Sequence, residues 1–467
     1  MDPERTTEAL NPQDITARRI VRHHMRIFWA IGVFVLFSAA TLEPARAQTV
    51  TSTARSADIY FRRGNTYQAK GNFHDAIAEY TKAIKMWPGF AEAFTNRGYA
   101  RAHVGNAEGA LADYAKAIEI NPHCAEAFNN RGILLFTRGD MDKAVADFDK
   151  AIQASPDLAE AYYNRGCAFR MMGKVESAIA DFDHAIPRFP RFLADSLTLN
   201  ARNPNQATAF NARGMARHAK GDLDGAERDF AMAIVVNPGY AEAFFNRGTV
   251  LLDRKDRTGA LAMFDKAIAL DATEADRFCL RGQVRSETGD VGGAIQDYSQ
   301  AVQLDPRQTK AYLLRGNLRY QEDKYDLAIA DFESAIRLNP RAIGAFNNRG
   351  LVWEAKGDLD QAVADFTRAI DLDSRFKGAY ANRGRVLQRR GDLDAAVQDL
   401  SKAIEIDPTD PMSYLNRGSV RTLQGKNSEA DKDFEKSLAL GRYIRDFLEN
   451  RIKAVKGQHQ AKLESYH

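Results

Sequence analysis

His103, His123, Cys124 and the two other cysteines, Cys167 and Cys279, are the residue types that bind zinc or form disulfides. Three thiols so far apart make neither a disulfide framework nor a Cys-x-x-Cys metal site. A second set is more regular. Asparagines stand at 96, 130, 164, 246, 348, 382 and 416, and a carboxamide offers both a donor and an acceptor, the groups that pair with an extended peptide backbone. An arginine follows each of them, as Arg97, Arg349 and Arg417 do, and a guanidinium grips carboxylates or other anions. There is no phosphate-binding glycine-rich loop, no nucleophile elbow and no His-Glu-x-x-His.

What positions these residues is a repeat. Arg-Gly recurs every 34 residues, at 63, 97, 131 and 165 and again at 213, 247, 281, 315, 349, 383 and 417. Eleven repeats span Ala57 to Ile444, and the single longer step leaves 14 inserted residues, 193–206, between repeats four and five. Asn200, Asn203, Pro204 and Asn205 there break helices and favour turns, so the insertion is expected to weaken stacking between Phe192 and Ala207. Counted from Ala57, position 4 is always Tyr or Phe, position 7 Arg, position 8 Gly and position 20 Ala; position 24 is aromatic except at Leu400. Positions 4, 8 and 11, and again 20, 24, 27 and 28, fall at helical spacing, so each repeat is two helices with one apolar stripe apiece. Gly at 8 and Ala at 20 let the helices approach. Gly at 15 ends the first helix, Asn or Asp at 16 starts the second, and Pro at 32 stops it.

In this frame His103, His123 and Cys124 occupy positions 13, 33 and 34, at opposite ends of a helix, so no metal site is expected. The cysteines fall in repeats two, four and seven, on rigid elements that should keep them unpaired. Position 23 is Asp or Glu in every repeat but the sixth, which has Met263. Arg at 7 and a carboxylate at 23 suggest a structural ion pair between the two helices; the alternative is an arginine ladder for anionic ligands.

The chain has 467 residues, 45% hydrophobic and 27% charged, with a net charge of +3. That near-balance argues against a dedicated nucleic-acid binder. Arg18, Arg19, Arg22 and Arg26 precede an apolar run from Ile27 to Leu42, and Ala45-Arg46-Ala47 follows. A basic region, an apolar region and an Ala-x-Ala site read as a secretory signal cleaved after Ala47. The alternative is a retained anchor over residues 27–42; the true start is either Met1 or Met25. Outside the repeats, residues 1–56, the insertion and residues 445–467 are each too short for a catalytic domain. After the last repeat, Ile444, Phe447, Leu448, Ile452 and Val455 share one helical face, as a cap over the last repeat would. The tail from Lys456 on is polar and expected to fray.

The aromatic at 4, Gly-8, Ala-20, aromatic-24, Ala-27 and Pro-32 closely resemble the tetratricopeptide repeat (TPR) motif. The resemblance implies an all-α, right-handed superhelix (an α-solenoid) of about eleven helix-turn-helix repeats plus a capping helix. It implies a non-enzymatic, cofactor-free scaffold that binds a protein or an extended peptide, not nucleic acid or a small-molecule substrate. The implied organisation is a signal over 1–47, a linker over 48–56, repeats one to four over 57–192, the insertion over 193–206, repeats five to eleven over 207–444, and the cap and tail over 445–467.

The resemblance also places positions 2, 5, 6, 9, 12 and 13 on a concave groove lined by the first helices. Candidate groove residues are then Asn96, Asn130, Asn164, Asn246, Asn348, Asn382 and Asn416, an apolar patch of Leu280, Leu313, Leu314 and Tyr320, and the basic pair Arg385 and Arg389. The asparagines either pair with a bound backbone or bond to a neighbouring helix. The patch is either a hydrophobic anchor site or an imperfect repeat. The carboxylate clamp found in chaperone-binding relatives is not supported, since position 5 is never Lys and Lys310 at position 2 is followed by Leu314 at position 6. The sequence thus points to an exported, periplasmic scaffold. Alternatives are a membrane-tethered assembly factor, with membrane contact only if the N-terminal segment is retained, or the binding subunit of an enzyme on a separate chain.

Overall fold

A computed structural model describes residues 52–189 and 204–464. The signal read over residues 1–47, and all of the insertion but its last three residues, lie outside the described residues. Those residues form 23 α-helices and no strand. The chain divides into two units, one ending at Asp271 and one running from Ala272. The division does not fall at the insertion. The first unit carries repeats one to six, from α1 (Ser52–Ala69) and α2 (Phe73–Met86) to α11 (Ala241–Asp253) and α12 (Arg257–Leu270). The second carries repeats seven to eleven, from α13 (Ala275–Glu287) and α14 (Val291–Leu304) to α21 (Pro411–Leu423) and α22 (Asn427–Leu440). A 3₁₀ turn, Arg442–Ile444, and α23 (Arg445–Glu464) follow.

Each hairpin is held by local chemistry. The residue at position 15 closes the first helix with a positive φ in all eleven repeats; nine are glycines, and the other two are Lys255 (φ 65°) and Asp323 (φ 56°). The next residue starts the second helix: Asn106 and Asp290, for instance, each accept a backbone N–H three residues on, at 2.9 Å. At the far end, Asn121 and Asp305 accept the N–H two residues on, at 3.0 Å, forming the turn into the next repeat. Where the two helices cross, the ring at position 24 lies directly on the glycine at position 8. A Cβ at Gly350 would sit 2.7 Å from the Phe366 ring. Phe148, Phe182, Phe230, Phe264, Phe332 and Phe366 are fully buried this way, each contributing about 1.5–3 kcal/mol of apolar burial.

Two expectations are corrected. The insertion after repeat four was expected to loosen stacking there, yet α8 (Val175–Arg188) packs on α9 (Pro204–Lys220) like any neighbouring pair. One apolar cluster runs through both repeats, from Tyr163, Phe182 and Phe189 to Ala209, Ala212 and Ala216. Pro204 starts α9, so the last insertion residues already belong to the helix of repeat five. The second correction concerns the cap. Leu448, Ile452 and Val455 do cover Leu415, Ala430 and Phe434 of repeat eleven, but Ile444 and Phe447 point to solvent, 42% and 46% exposed. The helix also continues past Lys456 to Glu464 instead of fraying there.

Candidate binding site on the first-helix face

Within each unit, the first helix of a repeat touches the first helix of the next, whereas second helices of successive repeats stay farther apart. The first helices therefore share a face, and every candidate residue lies on them.

The arginines of position 7 are engaged by carboxylates, with Arg63 of repeat one, its side chain 55% exposed, the least enclosed. In nine repeats Nε and Nη2 grip both oxygens of the aspartate at position 23, at 2.6–3.0 Å. In repeat one Arg63 stands 3.3 Å from Glu79. The third arm, Nη1, reaches position 25 of the preceding repeat: Asp149 from Arg165 (2.6 Å), Ser299 from Arg315 (3.0 Å), Thr367 from Arg383 (2.8 Å). Each such guanidinium joins three helices. The Asp181 bond holds the Arg165 guanidinium protonated well above its usual range. In five repeats a second arginine, at position 11, adds to the same carboxylate, as Arg319 does on Asp331 (2.8 Å). The ladder for anionic ligands is overturned, and the structural ion pair stands.

The asparagines behave mainly as ties between repeats. Asn96 donates to Asn65 (2.9 Å), Asn164 to Asn129 (2.9 Å) and Asn246 to Asn211 (2.9 Å). In the second unit four amides run head to tail: Asn382 donates to Asn347 (3.0 Å), Asn347 to Asn348 (3.1 Å) and Asn348 to Asn317 (2.8 Å). Asn164 and Asn246 are buried, 1% and 8% exposed, which removes both from a ligand-facing row. Asn96, Asn130, Asn348, Asn382 and Asn416 remain half-buried. Asn130 accepts from Asn129 at 3.4 Å.

The apolar patch is partly covered by neighbouring helices. All four residues are half-buried, and Leu313 and Tyr320 pack against the core cluster of Ile329, Phe332 and Val352 in repeats eight and nine. Arg385 is held by Glu354 of the preceding repeat through Nε (3.0 Å) and Nη2 (2.6 Å). Arg389 reaches the same carboxylate at 3.3 Å. The expected basic pair is a two-arginine, one-carboxylate cluster.

His103 stacks on Phe73 with centroids 4.3 Å apart, and burial lowers its pKa. Among the described residues no group of three His, Cys, Asp or Glu can hold a metal. Cys124, Cys167 and Cys279 are unpaired and buried; burial pushes Cys167 up to about 11 and Cys279 to about 12. Sequence reasoning missed Asn65, Asn129, Asn211, Asn317, Asn347 and Glu354. The signal was present in the recurring Phe-Asn-Asn-Arg-Gly of 128–132 and 346–350.

Comparison with known proteins agrees with this geometry. Tetratricopeptide repeat models match residues 61–123, 104–159, 211–275 and 313–375, and also 159–188; a TPR repeat model matches 282–323 and 384–425. Among curated proteins none matches this sequence. Similar solved structures include yeast Tom70, 20% identical over 87% of this chain and 96% of its own, with a TM-score of 0.36. A tetratricopeptide repeat protein from Parabacteroides merdae is 21% identical over 53% of this chain and 98% of its own, with a TM-score of 0.42. PilF of Pseudomonas aeruginosa is 18% identical over 49% and 97%, with a TM-score of 0.42. The helical hairpins, their Gly-aromatic crossings and the repeat-model matches converge: the chain is a helical repeat scaffold, consistent with a role in protein interaction, and belongs to the tetratricopeptide repeat family.

Proposed function

We propose that this chain is an exported, non-enzymatic scaffold of the bacterial cell envelope that holds a protein or an extended peptide on the first-helix face of its repeats. The observation that carries this reading is the half-buried amide relay of repeats eight to ten. Asn348 and Asn382 each commit one N–H to a neighbouring amide. A carboxamide nitrogen has two, so each keeps a donor for a backbone carbonyl laid along the face.

A photo-crosslinking residue at Leu314 or Gln388, on first helices, should capture the partner. The same residue at Leu304 or Leu327, exposed on second helices, should not; equal capture from both faces would overturn the reading. Export rests on the basic and apolar runs of residues 18–42 and on Ala45-Arg46-Ala47. The mature protein should begin near Gln48, and Trp29 retained in a membrane fraction would instead favour the anchor.

A further inference from the structure

The 3₁₀ turn and α23 at the end of the second unit have two unlike faces. Leu448 and Ile452 are buried against repeat eleven. Beside them Tyr443, Ile444 and Phe447 are left uncovered, 104%, 42% and 46% exposed. No other large hydrophobic residue among those described is as exposed as Tyr443. Phe447 and Arg451, four residues apart, lie on the same side of the helix. Along 442–458 the exposed cations Arg442, Arg445, Arg451, Lys453 and Lys456 outnumber the carboxylates Asp446 and Glu449, although Lys456 is paired with Asp431 of repeat eleven at 2.6 Å. Glu449 is engaged with Arg445 at 3.7 Å. An aromatic and aliphatic tip ringed by cations is the arrangement that sits at the headgroup boundary of an anionic bilayer. Among the described residues no helix is long and apolar enough to cross a membrane, so the contact would be peripheral.

We propose that this tip docks on an anionic lipid surface. Tyr443, Ile444 and Phe447 enter the headgroup region, and Arg442, Arg451 and Lys453 meet the lipid phosphates. Charge argues against a second copy as the occupant, because a symmetric contact would set two cationic faces against each other. This surface is separate from the first-helix face, and neither reading depends on the other.

The test places an environment-sensitive dye on Tyr443→Cys in the full chain. The native cysteines are buried and leave the new thiol as the labelling site. Vesicles of phosphatidylglycerol in phosphatidylcholine should raise the dye's emission several-fold and shift it to the blue. Pure phosphatidylcholine vesicles should not, and a dye at exposed Glu119→Cys should stay silent. Replacing Arg442, Arg451 and Lys453 together with Gln should raise the half-saturating lipid concentration at least about tenfold. High salt should weaken binding in the same sense. No response to phosphatidylglycerol, or an equal response to phosphatidylcholine or at position 119, would overturn the proposal. So would a concentration-dependent dimer abolished by the double variant Tyr443→Ser/Phe447→Ser, which would assign the tip to a second copy.

Discussion

Arg247 reaches back to Glu227 of the preceding repeat, 3.2 Å away, because the position where its ten counterparts find a carboxylate within their own repeat is Met263. Glu227 also holds Arg254 at 3.1 Å, so it keeps a partner if Arg247 is lost. By contrast Asp331, 4% exposed, anchors both Arg315 and Arg319. Removing it leaves two largely buried guanidiniums without their carboxylate. Asp331→Ala should therefore cost about 3 kcal/mol, and Arg247→Ala at most about 1 kcal/mol, by urea denaturation. Equal losses would contradict the pairing.

Lys255 and Asp323 occupy turn positions that are glycine in the other nine repeats and keep the same positive φ. A side chain is strained in that region. Lys255→Gly should stabilise its repeat by about 1 kcal/mol, seen as a higher midpoint in thermal or denaturant unfolding. An unchanged or lower midpoint would mean that the turn is not strained.

Two glycines of one helix, α17 (Ile343–Lys356), should respond in opposite directions. A Cβ at Gly350 meets the Phe366 ring at 2.7 Å, whereas one at Gly344 meets nothing within 4 Å. Gly350→Ala should destabilise by about 2 kcal/mol through overpacking. Gly344→Ala should stabilise by about 0.5–1 kcal/mol through helix propensity. Paired chemical melts decide.

Position 25 of the preceding repeat, which receives the third arm of several of these arginines, holds a carboxylate in some repeats, a hydroxyl in others and an alanine, Ala115 or Ala231, in two. Arg165 meets Asp149 there at 2.6 Å, while Arg315 meets only the hydroxyl of Ser299, at 3.0 Å. Ser299→Asp should convert the neutral contact into an ion pair and stabilise the second unit by about 0.5 kcal/mol. The gain should shrink in high salt. A salt-independent effect would point to another cause.

Asp407 sits in the turn between repeats ten and eleven. The Thr409 hydroxyl, the Lys377 ammonium at 3.0 Å and the Thr409 N–H hold its carboxyl down at about 2. A carboxyl whose pKa is lower folded than unfolded stabilises the fold above its unfolded pKa, about 3.9, and loses that contribution as pH falls toward the folded value. Asp407→Asn should therefore lower the melting temperature at pH 6 and narrow its gap to the parent between pH 4 and 2. A gap that does not change with pH would show that the charge is not what matters.

The sequence by itself determined the hairpin. Helix starts, glycine turns, the Gly–aromatic crossing of Gly350 on Phe366 and the clasp of Arg315 on Asp331 were all legible, because the partners lie within one 34-residue unit whose geometry the local chemistry sets. What lay between repeats was decided only by the tertiary structure. Asn382 with Asn347, Arg385 with Glu354, and Arg165 with Asp149 join residues on neighbouring hairpins. Which of them meet depends on the angle at which one hairpin stacks on the next, and no local signal specifies that angle. The same cause explains why Asn164 is buried while Asn96, at the same repeat position, is half-buried. It also explains why α8 and α9 stack across an insertion that reads as a break, and why Phe447 faces water on a helix whose apolar pattern would have turned it inward. A periodic pattern fixes which face of a helix is apolar; the packing of whole helices against one another fixes how much of that face is covered.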